Sequence, residues 1–115
     1  MSNSSTIQVK VEESWLKNQT LYFPKECAEF FPRDCFGARG EPERASLPAR
    51  GVAVTLDYGA DSIETDITMG TDGRIRPRDR GSLRRFYAAT RAERGDYVVV
   101  TRVAPRVFKL RLVKA

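Results

Sequence analysis

Short runs of apolar or alternating residues, each closed by a turn signal, are spread along the whole 115-residue chain. Such runs are typical of half-buried β-strands, because successive side chains point to opposite faces of a sheet. The predicted strands are Thr6–Val11, Leu21–Phe23, Val52–Tyr58, Ser62–Ile67, Tyr97–Val103 and Arg106–Val113. With only two short predicted helices, Lys25–Phe31 and Ser82–Ala92, this order favours a closed or nearly closed barrel over a layered α/β sheet.

The length and composition fit one domain, residues 1–115, that is large enough to bury its own core. No apolar run is long enough to cross a bilayer. The first five residues, MSNSS, lack the basic and apolar segments of a secretory signal. We therefore expect a cytoplasmic protein that makes no contact with a membrane.

The chain contains no histidine and only two cysteines, Cys27 and Cys35. The commonest general base is therefore missing, and neither a zinc site nor a disulfide framework is supported. A metal-dependent nuclease would also need clustered carboxylates beside a lysine, and the acidic residues of Asp57–Asp66 have no lysine nearby. We predict reduced, partly buried thiols, no metal, no cofactor and no catalytic residue.

Charge is distributed unevenly along the chain. Residues 1–73 hold seven basic and twelve acidic side chains, a balance of −5, whereas residues 74–115 hold thirteen basic and three acidic, a balance of +10. Concentrated positive charge creates a potential that attracts phosphate backbones, which makes nucleic acid the first partner to consider. The alternative is that these arginines pair with the acidic half of the same chain.

The predicted order is strand, polar arm, strand, helix, long loop, hairpin, second arm, helix and hairpin. It resembles the B-three DNA-binding pseudobarrel of plant transcription factors and of the DNA-recognition domains of restriction endonucleases of the EcoRII and BfiI kind. The segments that carry the resemblance are Leu21–Pro24, Phe30–Pro32, Gly51–Val54, Glu64–Ile67, Arg76–Arg78, Arg85–Tyr87 and Gly95–Val100.

This resemblance implies a mainly β fold with two short helices, an open or closed pseudobarrel. It also implies sequence-specific binding of double-stranded DNA by two arms in the major groove, here Glu12–Thr20 and Thr68–Arg78. The domain would be a non-catalytic monomer, either the recognition module of a restriction-modification system, alongside a nuclease domain or subunit, or a stand-alone regulator.

The candidate DNA-binding residues lie on or beside these arms. Arg74, Arg76 and Arg78 stand at alternate positions, so their side chains point to the same face of an extended, exposed arm. There an arginine can form two hydrogen bonds with guanine. The alternative interpretation is that these arginines only lie on a solvated face of a strand. Amide side chains on the first arm can bridge adenine, and arginines beside a helix N-terminus favour phosphate. The full set is Lys17, Asn18, Gln19, Thr68, Thr71, Asp72, Arg74, Arg76, Arg78, Arg80 and Arg84.

We expect three further residues to have structural roles. We expect Trp15 to support the first arm from the core, and Asp66 and Asp96 to bind backbone or a basic neighbour. Two other functions stay open. A small β-barrel could bind single-stranded nucleic acid by stacking bases on exposed aromatic rings. A protein-interaction barrel could dock a partner through the long Arg33–Arg50 loop.

Overall fold

The structure is a computed structural model that describes residues 5–38, 47–70 and 72–115. Its strands are β1 (Thr6–Lys10), β2 (Phe36–Ala38), β3 (Val54–Asp57), β4 (Ser62–Thr65), β5 (Ile67–Met69), β6 (Ile75–Pro77), β7 (Tyr97–Ala104) and β8 (Val107–Val113). Its α-helices are α1 (Glu13–Asn18) and α2 (Gly81–Thr90), and two 3₁₀ helices span Lys25–Phe30 and Arg33–Cys35. No helix within these ranges is long and apolar enough to cross a membrane.

The strands form two mixed sheets. The larger sheet has the order β1-β7-β8-β3-β4, in which β3 and β8 run parallel and the other pairs run antiparallel. The smaller sheet has the order β2-β5-β6, with a parallel β2–β5 pair and an antiparallel β5–β6 hairpin. The described strands do not close into a barrel, so the predicted mainly β fold is confirmed in its open form.

The core contains side chains from both sheets and from α2. Leu83, Phe86 and Tyr87 are buried on one face of α2, as their helical spacing predicted. Phe31 packs against Phe108 of β8 with ring centroids 4.9 Å apart, which joins the first 3₁₀ helix to the larger sheet. The closing hairpin also follows the prediction, because Phe108 is buried while Lys109 and Arg111 point to solvent.

Two predicted elements differ near the arms. Glu12–Thr20 was expected to be an irregular arm, but it contains α1, in which Trp15 is buried and anchors the helix against the core. The predicted strand Ser62–Ile67 is interrupted at Asp66, so that β4 pairs in the larger sheet and β5 in the smaller one. Asp66 interrupts the strand because its carboxylate is held by other segments of the chain.

The second helix begins one residue earlier than predicted. Ser82 was the expected N-cap, but it is buried in the first turn, and its N–H donates to the Asp79 carboxylate at 3.3 Å. The predicted strand Leu21–Phe23 is reduced to one bridge between Phe23 and Ile75. Cys27 is half-buried and Cys35 buried, and both thiols are free. Burial raises the pKa of Cys35 to about 12, which disfavours the reactive thiolate at neutral pH.

Candidate nucleic-acid interface

Tyr22 lies between the two predicted arms. Its ring centroid is 6.3 Å from that of Trp15 in α1. On the hairpin side, the guanidinium carbon of Arg74 lies 4.3 Å from the Tyr22 centroid and that of Arg76 lies 5.8 Å away. Arg76 Nη1 also lies 3.5 Å from the Tyr22 hydroxyl, at the long limit for a hydrogen bond. We call Trp15, Tyr22, Arg74 and Arg76 the aromatic–arginine stack, and it brings the two arms side by side.

Arg80, which precedes α2, connects the end of the first arm to the start of that helix. Its guanidinium donates to the backbone carbonyls of Asn18 and Gln19, at a 3.5 Å distance for Gln19. Cationic side chains at a helix C-terminus satisfy carbonyls that have no partner within the helix. Because these contacts use backbone atoms, the side chains of Lys17, Asn18 and Gln19 remain exposed beside Arg80.

The tip of the β5–β6 hairpin is a tight turn. The N–H of Gly73 donates to the carbonyl of Gly70 at 3.0 Å, and Gly73 has a φ of 85°, which favours glycine. Arg74 Nε pairs with the Asp72 carboxylate at 2.9 Å. The side chain of Lys25 packs against Gly73, since a Cβ at this glycine would lie 3.2 Å from it. The first 3₁₀ helix therefore adds a cation to the tip of the hairpin.

The base of the hairpin is fixed by an ion pair between Asp66 and Arg78. Arg78 donates through Nε to Oδ1 at 2.7 Å and through Nη2 to Oδ2 at 2.9 Å. The Asp66 carboxylate also accepts the N–H of Gly51 at 2.9 Å. Arg78 Nη2 donates further to the carbonyls of Ala38 and Ala49. We call this Asp66–Arg78 pair with its backbone partners the clamp.

The clamp is packed closely and only partly reached by water. The side chain of Asp66 is 4% exposed and that of Arg78 is 26% exposed. Burial alone would raise the pKa of Asp66, but the hydrogen bonds from Arg78 and Gly51 outweigh it and hold the pKa below its ordinary value. A Cβ at Gly37 would lie 2.6 Å from the Asp66 carboxylate, so only glycine fits there.

Two residues that were predicted to bind DNA are therefore not exposed on an arm. Arg78 was expected to leave the arm beside Arg74 and Arg76, whereas its guanidinium is bound in the clamp because Asp66 and two carbonyls surround it. Thr68 is buried in β5, and its hydroxyl donates to the carbonyl of Arg76 at 3.2 Å. Thr71 lies outside the described residues.

Several other arginines pair with carboxylates from the acidic part of the chain, as the alternative charge interpretation predicted. Arg85 pairs with Asp61 at 2.7 Å, and Arg106 pairs with Asp34 at 2.8 Å. Within the described ranges, the exposed cations near the arms and on β8 that form no ion pair include Lys10, Lys17, Lys25, Arg80, Arg84, Lys109 and Arg111. Arg84 lies one helical turn after Arg80, and its N–H donates to the Arg80 carbonyl.

The structural roles predicted for three residues are confirmed. Trp15 is 6% exposed and supports α1 from the core. Asp66 forms the clamp with Arg78, and Asp96 binds Lys114 Nζ at 2.8 Å and the backbone N–H of Glu93 at the same distance. The hydrogen bond from Lys114, together with backbone N–H donors, lowers the pKa of Asp96 to about 2.

Sequence reasoning missed two side chains of this surface, Tyr22 and Lys25. A signal for Tyr22 was present, because it stands between Leu21 and Phe23, which are both buried. In extended backbone, alternate side chains point in opposite directions, so the Tyr22 ring had to leave the core. No comparable signal marks Lys25, whose position depends on the packing of the 3₁₀ helix against Gly73.

Known structures with a similar fold exist, although no known sequence family matches this chain. No protein-family model matches this chain, and no curated protein sequence matches it. The N-terminal domain of Helicobacter pylori LlaJI.R1 superposes with a TM-score of 0.59 at 14% identity, covering 96% of this chain and 88% of that one. A hypothetical Arabidopsis thaliana protein superposes with a TM-score of 0.51 at 17% identity, covering 99% and 96%. At these identities the similarity shows that this chain shares the fold of a bacterial and a plant protein.

Proposed function

We propose that residues 1–115 form one monomeric, non-catalytic cytoplasmic domain that binds double-stranded DNA sequence-specifically, with both arms in the major groove. The observation that carries this proposal is the pairing of the arms: the aromatic–arginine stack holds α1 beside the β5–β6 hairpin, and Arg80 ties the end of α1 to the start of α2. Two adjacent elements with exposed amide, arginine and lysine side chains can contact base edges and phosphates together.

One of the two structural neighbours supports the class of partner. The protein from Helicobacter pylori is related to restriction-modification systems. Such a system requires recognition of a specific duplex site, which a separate module can supply. We therefore propose that this domain is the recognition module of a restriction-modification system, acting with a nuclease domain or subunit, or else a stand-alone regulator.

We propose different roles for the candidate residues. We assign base contacts to exposed or half-buried side chains that can fork to base edges: Lys17, Asn18, Gln19, Asp72, Arg74 and Arg76. Arg80, Arg84 and Lys25 are suited to phosphate, since all three are exposed cations and a phosphate contact carries no requirement for a particular base edge. Arg78 and Thr68 act indirectly, by holding the hairpin in place.

Single-strand binding has less support. The chain's eleven aromatic residues all lie within the described ranges, and each is buried or half-buried. A barrel that tracks a single strand needs rings open to solvent on which successive bases stack. Two-arm binding instead needs a major groove, so competition should strongly favour a specific duplex over either of its separated strands.

Selection of bound duplexes from a random pool tests the proposal. An enriched short motif is expected, and its affinity should fall with salt because phosphate contacts release counterions. Five to seven such contacts give a slope of log affinity against log salt of roughly −4.5 to −6. An unenriched pool, or a slope near zero on the selected site, would contradict the proposal. Preference for the single strand would favour the stacking barrel instead.

A further inference from the structure

The Asp72 carboxylate holds Arg74 by two hydrogen bonds at the tip of the β5–β6 hairpin. The backbone N–H of Arg74 donates to Oδ1 at 3.0 Å, and its Nε donates to Oδ2 at 2.9 Å. Both partners belong to one turn, which the N–H of Gly73 closes on the carbonyl of Gly70. Because Nε lies in the plane of the guanidinium, this arrangement restricts how that plane can turn.

The Tyr22 ring supports the same guanidinium from one side, with its centroid 4.3 Å from the guanidinium carbon of Arg74. Phe23 and Ile75 exchange two backbone hydrogen bonds, 2.8 and 3.1 Å long. These bonds tie the residue after Tyr22 to the residue after Arg74, so the ring is fixed beside the hairpin. An exposed ion pair alone adds little to stability. A carboxylate at Nε and a ring against one face instead orient the side chain before a ligand binds.

The charge of this site favours a base edge over a phosphate. The Asp72 carboxylate neutralises the Arg74 guanidinium from 2.9 Å, so the pair has little net charge with which to attract a phosphate backbone. A neutral base edge depends less on net charge, and guanine O6 and N7 accept two hydrogen bonds from one guanidinium. Adenine presents a donor at N6 beside its N7, so it offers an arginine one acceptor fewer.

We propose that Arg74 reads one guanine in the major groove, with Asp72 and Tyr22 as positioning residues that hold its guanidinium in the plane of the base. This inference rests on the proposed function and names the base pair, G·C, that the tip of the hairpin recognises. The Nη groups of Arg74 donate to guanine O6 and N7 while Nε stays with Asp72, because one guanidinium has several N–H donors. The base contact proposed above for Asp72 is then made through Arg74.

Substitution of 7-deazaguanine tests this contact, since it replaces the N7 acceptor with a C–H group and keeps Watson–Crick pairing. Each guanine of the selected duplex is replaced in turn, and the affinity of the unmodified duplex is divided by that of the modified one. At one position this ratio should be about tenfold for wild-type protein, in keeping with the loss of one hydrogen bond from a charged donor. For Arg74→Ala it should be about twofold or less at that position and unchanged at other guanines.

Asp72→Asn and Asp61→Asn form a matched pair of variants. Each removes a carboxylate that accepts from an exposed arginine Nε, at 2.9 Å for Arg74 and 2.7 Å for Arg85. Asparagine at position 72 can still accept the backbone N–H through its oxygen, but its amide NH₂ then faces the Nε of Arg74, donor against donor. Asp72→Asn should therefore reduce the ratio to about threefold or less, and Asp61→Asn should keep it. Tyr22→Phe retains the ring and should keep the ratio, whereas Tyr22→Leu should lower it.

Binding to an unselected duplex separates positioning from damage to the hairpin. Asp72→Asn removes a negative charge, so it should bind this duplex at least as tightly as wild type. The inference would be overturned by a selected site without guanine, by equal ratios for wild type and Arg74→Ala at every guanine, or by equal ratios for the two asparagine variants. Equal losses by Asp72→Asn on selected and unselected duplexes would also overturn it. Failure of wild type to prefer the selected duplex would instead overturn the proposed function.

Discussion

Arginine has different surroundings at the two ends of the β5–β6 hairpin. At the tip, Arg74 pairs with Asp72, and both side chains are about half exposed, at 52% and 50%. At the base, Arg78 forks onto Asp66, which is 4% exposed, and also binds two backbone carbonyls. Alternation along a strand therefore determines where arginines are placed, but it does not assign their roles. The neighbouring carboxylates and carbonyls decide whether a guanidinium stays available to a ligand.

Removing the cation of the clamp should destabilise the fold more than any other change considered. Arg78→Ala should lower the free energy of unfolding by about 3 kcal/mol, because Asp66 is left as a buried carboxylate with no cation beside it. Arg74→Ala is the matched control and should cost less than about 1 kcal/mol, since exposed ion pairs contribute little. Urea unfolding followed by Trp15 fluorescence measures both. Equal unfolding midpoints for the two variants would show that the clamp is no stronger than the exposed pair.

The second prediction concerns base reading at the middle of the hairpin. Arg76→Ala should cost about 1–3 kcal/mol on the selected duplex and relax discrimination at one base pair, as loss of a bidentate base contact does. Arg111→Ala on β8 is the control, and should weaken all duplexes equally if it has any effect, because a phosphate contact carries no sequence information. Binding titrations against every single-base-pair mismatch measure both. Uniform loss for Arg76→Ala would remove it from the base-reading residues.

Acid should weaken the clamp. The pKa of Asp66 is lower in the folded protein than in the unfolded chain, so its stabilising contribution is present above the unfolded pKa, about 3.9. That contribution is lost as pH falls through the folded pKa. The difference in unfolding free energy between wild type and Asp66→Asn should therefore be constant at neutral pH and shrink below about pH 4. A difference that does not change between pH 6 and pH 3 would contradict the shifted pKa.

Much of the fold could be predicted from local sequence. Alternation identified β1, β3 and the closing hairpin, and the spacing of Leu83, Phe86 and Tyr87 identified the buried face of α2. These features depend on a period of two or 3.6 residues, which each segment carries by itself. Tertiary contacts account for the elements that differ from the prediction. Trp15 stabilises α1 by packing into the core, and Asp66, which follows β4, binds Arg78.

The candidate site was harder to predict than the fold. The charge and spacing of the arginines indicated where a polyanion could bind, but the sequence did not show that Arg78 and Asp66 would meet twelve residues apart. Nor did it place Tyr22 under Arg74, a contact between residues on different elements. Ion pairs and cation–π contacts of this kind require the folded backbone, because no periodic pattern links their partners.

Two substitutions of Gln19 can distinguish the effect of backbone conformation from that of side-chain chemistry at the end of the first arm. Gln19 follows α1 in the left-handed region, with φ 56° and ψ 52°. Glycine adopts this region without the steric cost that other residues have, so Gln19→Gly should be about 1 kcal/mol more stable than Gln19→Ala.

Both Gln19 variants lack the amide that we assign to base contact, and mismatch titrations of both test that assignment. If the Gln19 amide reads a base, both variants lose discrimination at the same base pair and to the same extent, whatever their stabilities. If discrimination instead follows stability, with the glycine variant retaining more of it, the order of α1 contributes to recognition and the amide does not. That result would remove Gln19 from the base-reading residues and leave Lys17 and Asn18 to carry base reading on the first arm.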